Sequence, residues 1–172
     1  GLQGIGKTNF VRKLGGPFYA DIHNLDPDKK DLVMDLEGVW LAEVSEMRFT
    51  SADEIMKIKS FLTRNVDKMR KPYAHFSNFI PRQTCFIGTI NLDATGEYLK
   101  DKTGNRRFLP VYCTSFDNDA LERDREQLFA EAFARYQQGE TWYLTETYER
   151  EAAALQKARM CSDTWQELIE NW

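Results

Sequence analysis

Gly1-Leu2-Gln3-Gly4-Ile5-Gly6-Lys7-Thr8, the first eight residues, satisfy the spacing G-x-x-x-x-G-K-[ST] in full. Glycines at those positions let backbone N–H groups curl around phosphate oxygens, and a helix leaving the loop points its positive end at them. Lys7 is then placed to reach the β- and γ-phosphates of a nucleoside triphosphate, and the Thr8 hydroxyl to ligate Mg²⁺. Gly1, Gly4, Ile5, Gly6, Lys7, Thr8 and Asn9 are the candidate nucleotide-binding residues, with ATP and Mg²⁺ as the expected ligands. The competing reading is a chance glycine-rich turn. A helix predicted directly after the loop and acid-tipped strands downstream weigh against it.

Working outward, a helix is expected from Lys7 to about Leu14, stopped by Gly15-Gly16-Pro17. Phe18–Ile22 reads as a short strand, and Pro27 as the first turn of a helix ending at Gly38. Val39-Trp40-Leu41-Ala42-Glu43-Val44 is a buried strand, and Ser51-Ala52-Asp53-Glu54 is a capping box opening a helix to about Thr63. Residues 66–82, basic and aromatic with Pro72 and Pro81 at the bends, fit a hairpin or long loop. Thr84–Ile90 and Arg107–Tyr112 read as further strands. Asp119-Ala120-Leu121-Glu122 is a second capping box, starting a helix with apolar residues at 121, 128, 129, 132, 133 and 136 and a stop at Gly139; Thr145 to Trp172 looks helical. Strands alternating with helices predict a three-layer α/β fold with a largely parallel sheet. Residues 1–115 form the expected ATPase core and 116–172 a helical C-terminal part of the same domain.

A site of this kind needs an acid at the tip of a neighbouring strand to hold magnesium and polarise water. Glu43 and Glu46 lie on and just past the Val39–Val44 strand. Glu46 is the stronger candidate, and Glu43 is equally well read as a packed edge charge. Asn91 ends the next strand, where its amide would orient the attacking water; taken alone it is a turn former. Arg106 and Arg107 precede a strand, and one of them would stabilise charge developing on the transferred phosphoryl group. Isolated pairs of this sort are commonly surface charges.

The composition bounds the rest. At 172 residues the chain is one domain by length, with 42% hydrophobic and 29% charged residues, ordinary for a soluble protein. No apolar run is long enough to span a membrane. Cys85, Cys113 and Cys161 are widely spaced, with only His23 and His75 to help them bind metal, so reduced thiols in a cytoplasmic protein are expected. The net charge of −4 argues against a protein coating nucleic acid with its whole surface. Its distribution is uneven. Residues 57–82 hold seven Lys/Arg against the single acid Asp67, whereas 117–151 hold ten acids against four arginines. A basic stripe on an acidic body suits DNA lining an inner channel. Within it His75, Phe76 and Tyr73 are candidates for base stacking, while Phe79 is expected in the core.

These elements resemble, in order and spacing, the superfamily 3 helicases, and most closely the virulence-associated protein E family of phages and pathogenicity islands. The matching stretches are GLQGIGKTNFVRKLGG, VWLAEVSEM, IKSFLTRNVDKMRKPY, PRQTCFIGTIN and TGNRRFLPV, nearly the whole chain. The resemblance implies an AAA+-like ATPase that assembles into a ring, expected to be a hexamer, and moves along single-stranded DNA. It gives Gly4, Gly6, Lys7 and Thr8 the Walker A role, Glu43 and Glu46 the Walker B role, and Asn91 that of sensor 1. Arg107, with Arg106 as alternative, matches an arginine finger reaching into a neighbour's site. Lys68, Arg70, Lys71 and His75 fall near DNA. The acidic strand departs from the pattern, reading Glu-Val-Ser-Glu rather than an adjacent acid pair. The sequence also opens inside the phosphate loop, without the strand that feeds such loops. A piece of a longer replication protein, with a primase domain upstream, is therefore expected, and weak nucleotide binding and turnover from these residues alone. Two other functions fit the same motifs: an AAA+ ATPase that remodels or loads proteins without unwinding DNA, and an inactive DNA-binding fragment. A small-molecule kinase fits worse, because the paired arginines follow a sensor-like Asn and a basic hairpin.

Overall fold

The computed structural model describes residues 2–23, 25–29, 31–45, 51–70, 73, 75–91, 98–99 and 104–161. It is an α/β fold around a small parallel sheet. Helix α1 runs Lys7–Gly15 and a 3₁₀ turn, Gly16–Phe18, delivers the chain to strand β1, Tyr19–Asp21. Helix α2 (Leu32–Asp35) leads to β2 (Leu41–Val44), and helix α3 (Ala52–Leu62) to the hairpin β3 (Val66–Met69) and β4 (Asn78–Pro81). Strand β5 is Cys85–Gly88, a 3₁₀ turn spans Asn105–Arg107, and α4 (Asn118–Gln137) and α5 (Glu146–Lys157) close the described chain. The sheet order is β1-β2-β5, with every pair parallel. Its register aligns Asp21 with Glu43 and Glu43 with Ile87. No helix among the described residues is long and apolar enough to cross a membrane.

Side chains alternate across a strand, so the two sheet faces carry different residues. Ala20, Ile22, Ala42, Val44 and Phe86 meet Leu32 and Leu36 around α2 and Ile55, Ile58 and Phe61 of α3, a buried apolar cluster. The opposite face carries Tyr19, Asp21, Leu41 and Glu43 and receives α1. The helix lies very close: a Cβ at Gly15 would come within 2.8 Å of the Tyr19 Cβ and 3.3 Å of the Leu41 Cβ. Only glycine allows that approach. Helix α4 packs on α1, and its Arg125 donates from Nε to the Leu14 carbonyl at 2.8 Å, satisfying an orphan acceptor at the end of α1.

Local chemistry explains several departures from the sequence reading. The helix expected from Pro27 to Gly38 shrinks to Leu32–Asp35. Asp26 accepts from the Asp28 N–H at 3.1 Å through its side chain and from the Lys29 N–H at 3.1 Å through its carbonyl, a turn that takes the donors a helix would use. The strand expected over Arg107–Tyr112 does not form. Pro110 has no N–H for a ladder, and Leu109, Val111 and Tyr112 are exposed, with no face to cover them. The cap of α4 is Asp117, accepting from the Ala120 N–H at 2.9 Å, so the helix starts before the expected Asp119 box. Along α4 only Leu121 is buried; Leu128, Phe129, Phe133 and Tyr136 are exposed. The capping box at Ser51 forms as read, its hydroxyl accepting from the Glu54 N–H at 3.2 Å. Residues 162–172, expected to be helical, lie outside the described residues.

Candidate functional site

Gly4 and Gly6 hold φ at 76° and 87°, the left-handed values that turn the loop back on itself ahead of α1. Helix α1 has no acidic residue in its first turn and no side-chain cap, so it brings no carboxylate of its own to its N-terminal field. The loop frames an open cleft of about 640 Å³ lined by Gln3, Gly4, Gly6, Lys7, Thr8 and Asn9, and by residues at the ends of all three parallel strands. Open α/β sheets bind ligands at the carboxyl ends of their strands.

Two long-range contacts close the constellation. Lys7 Nζ donates to Asn91 Oδ1 at 2.8 Å and to the Leu2 carbonyl at 2.7 Å. Both acceptors are neutral, so among the described residues the ammonium is positioned without a countercharge. The Thr8 hydroxyl donates to Glu43 Oε1 at 2.8 Å. Glu43 is fully buried and takes two more hydroxyls, Thr89 at 2.9 Å on Oε1 and Tyr19 at 2.8 Å on Oε2. A buried carboxylate needs such donors. In return the Tyr19 phenol is pushed up to about 12, first by burial and then by the hydrogen bond and charge of Glu43. The reading of Glu43 as a packed edge charge is thereby replaced: it is the central acceptor beneath the loop.

Ile5 is half-buried behind the cleft rather than lining it. Gly1, Glu46 and Lys71 lie outside the described residues. Arg106 is exposed and neither it nor Arg107 lines the cleft. Arg107 donates from Nη1 to the Gly104 carbonyl at 3.3 Å, while its buried Nε has no partner among the described residues. Sequence reasoning missed Tyr19, Asp21, His23, Ser45 and Thr89. The signal was present as polar residues two apart at the ends of the strands, Tyr19/Asp21, Glu43/Ser45 and Thr89/Asn91, the spacing that puts both members on one face.

The basic segment forms a hairpin in which Lys68 pairs with Phe79 and Asp67 with Ile80. Asp67 and Met69 point inward, whereas Lys68, Arg70, His75, Phe76 and Tyr73 are exposed. Phe79 is exposed as well, contrary to its expected place in the core, because its register puts it on the outer face beside Lys68, whose Nζ lies 5.8 Å from the ring centroid. The basic stripe is thinner than the sequence suggests. Lys59 is buried. Arg82 is buried too, in a two-pronged ion pair with Asp67, its Nε 2.7 Å from Oδ2 and its guanidinium 4.1 Å from the Phe61 centroid.

Among curated proteins, none matches the chain. The family description of the virulence-associated protein E-like domain matches residues 1–161, which take in the glycine loop, the five described strands and both long C-terminal helices. The chain belongs to the virulence-associated protein E-like domain family.

Proposed function

We propose that this chain is the ATPase core of a mobile-element replication helicase, a P-loop NTPase of AAA+-like, three-layer architecture. It would hydrolyse ATP to move along single-stranded DNA as a ring, expected to be a hexamer. The observation that carries the reading is the convergence of Lys7 with Asn91 and of Thr8 with Glu43, at 2.8 Å each, across separations of 84 and 35 residues. A chance glycine turn has no reason to gather those partners. Thr8 Oγ1 at the loop is a hard donor suited to Mg²⁺, which takes few protein ligands and fills its shell with phosphate and water, and Glu43 Oε1 holds that hydroxyl from behind. Glu46 remains a further candidate ligand beyond the same strand. Bound there, Mg²⁺ would neutralise phosphate charge as the terminal bond breaks. Lys7 would draw the terminal phosphates toward the helix end, and Asn91 would hold both that ammonium and the attacking water. An arginine from a neighbouring subunit, Arg107 or Arg106, would supply the missing cation.

The exposed Lys68 and Arg70 beside Tyr73, Phe76 and Phe79 favour single-stranded DNA as the moving partner, since cations for phosphates and aromatic faces for bases are what such strands require. Lys71 and His75 belong to the same proposed surface. The deciding experiment measures phosphate release by the full-length protein with and without single-stranded DNA. Stimulation by DNA is expected. Turnover indifferent to DNA would favour a protein-remodelling ATPase, and no turnover would leave a binding fragment.

A further inference from the structure

The cleft contains a carboxylate that the motifs do not assign. Among its described lining residues the one acid is Asp21, at the end of β1, whose side chain is 24% exposed. Asp21 stands in register beside Glu43, on the sheet face that receives α1. The two acids have opposite surroundings. Glu43 has no exposed surface and both its oxygens are engaged by hydroxyls of Tyr19, Thr8 and Thr89, so it is fixed and shut off from water. Asp21 opens on the cleft. Ser45 donates its hydroxyl to Asp21 Oδ1 at 2.8 Å, and His23 Nδ1 sits 3.2 Å from that hydroxyl and 3.7 Å from Oδ1. Among the described residues nothing donates to Oδ2.

Resting on the ATPase reading, we propose that Asp21 is the proton acceptor for the attacking water, oriented by Ser45, while Glu43 serves the metal side of the site. In the step, the water oxygen forms a bond to the γ-phosphorus as the bond from that phosphorus to the β,γ-bridging oxygen breaks. ADP departs with the bridging oxygen and its electron pair. The water proton passes to Asp21 Oδ2 and leaves for bulk solvent at the cleft mouth, where His23 is 84% exposed. Hydrolysis therefore divides its two carboxylate tasks between neighbouring strands, which removes the need for adjacent acids on β2.

The test compares full-length Asp21→Asn with full-length Glu46→Gln. An asparagine oxygen still accepts from Ser45, so the local fold is kept. Asp21→Asn is expected to lose roughly 10²–10⁴ of turnover, the usual worth of a positioned base. Its ATP affinity by calorimetry should stay within about threefold of the parent, and acid quenching of the complex should recover ATP intact. If Asp21→Asn turns over within about threefold of the parent, or loses ATP binding in step with turnover, the assignment is wrong and Asp21 is structural. A dead Glu46→Gln beside an active Asp21→Asn would overturn it in favour of Glu46. A parent that binds ATP and never hydrolyses it would overturn the ATPase reading itself; an active parent with an unaffected Asp21→Asn would overturn only this assignment.

Discussion

Lys7 Nζ sits 2.8 Å from Asn91 Oδ1, so the lysine of the glycine loop is held against the segment that follows β5. The ammonium is thus set in position by neutral oxygens before any phosphate arrives. A preset cation loses less freedom on binding than one recruited from solvent, and preorganisation of this kind is where electrostatic catalysis gains most.

Lys7 and Arg107 carry the sharpest test of a shared site. Lys7→Ala is expected to remove ATP binding and hydrolysis, whereas Arg107→Ala keeps binding and loses about 10³–10⁵ in turnover, the worth of an arginine supplied to a phosphoryl transfer. Arg107 does not line the cleft of its own chain, so the proposed finger role requires a neighbouring subunit. Mixing the two inactive full-length proteins should restore part of the phosphate release, at interfaces that pair an intact Lys7 with an intact Arg107. Mixed rings that stay inactive would return Arg106 and Arg107 to the role of surface charges.

For Tyr19 the sign of the pH effect follows from its environment. The folded protein holds the neutral phenol up to about pH 12, whereas an unfolded tyrosine ionises near its ordinary value of 10.0. The stability this confers is fully present below about pH 10 and is lost as pH rises through about 12. Tyr98 is raised in the same direction by burial, so the parent alone does not isolate the effect. The difference in unfolding free energy between parent and Tyr19→Phe should narrow across that window, with a late rise in tyrosinate absorbance that is larger in the parent. An unchanged difference would separate Tyr19 from Glu43.

The hairpin should engage DNA through phosphates. If Lys68, Arg70 and Lys71 each neutralise about one phosphate, each alanine change should reduce the salt slope of single-strand binding by about 0.7. Removing Phe79 or Phe76 should weaken binding by roughly 1–3 kcal/mol with the slope intact, because stacking releases no counterions. A triple Lys68, Arg70 and Lys71 variant with the parental slope would place the DNA elsewhere.

Asp67 and Arg82 test the footing of that hairpin. Both side chains are nearly sealed, at 7% and 6% exposure, and Arg82 also donates to the Phe61 carbonyl. Asp67→Ala leaves the guanidinium buried without its countercharge and should cost about 3–5 kcal/mol in denaturant titration. Replacing both residues with apolar side chains of similar volume should recover most of the loss, and failure to recover would mean the pair also sets the strand register.

The motif Gly1 to Thr8 and the strand positions were legible because each is written in a short stretch: glycine spacing, a lysine, an apolar run. The Ser51 cap was legible for the same reason. Arg82 and Lys59 were counted in the basic stripe because their burial depends on Asp67 and Asn105, set by tertiary pairing no local pattern encodes. The strand expected after Arg107 shows the same limit: its alternation was apolar enough, but no sheet edge or helix comes to cover Leu109 and Val111. Asp21 left a local trace in its spacing from Tyr19, but its place beside Glu43 is set by the parallel register, which no local pattern encodes.

The Arg125 side chain completes the end of α1 from 111 residues downstream. During synthesis at about 5–20 residues per second, the helix behind the phosphate loop would leave the ribosome roughly 6–20 s before the arginine that finishes it. In that interval the Leu14 carbonyl lacks its partner and α4 has yet to arrive. The nascent chain can thus carry every motif residue through Asn91 while the end of α1 is still unfinished, which makes α4 the element whose emergence completes the helix behind the loop.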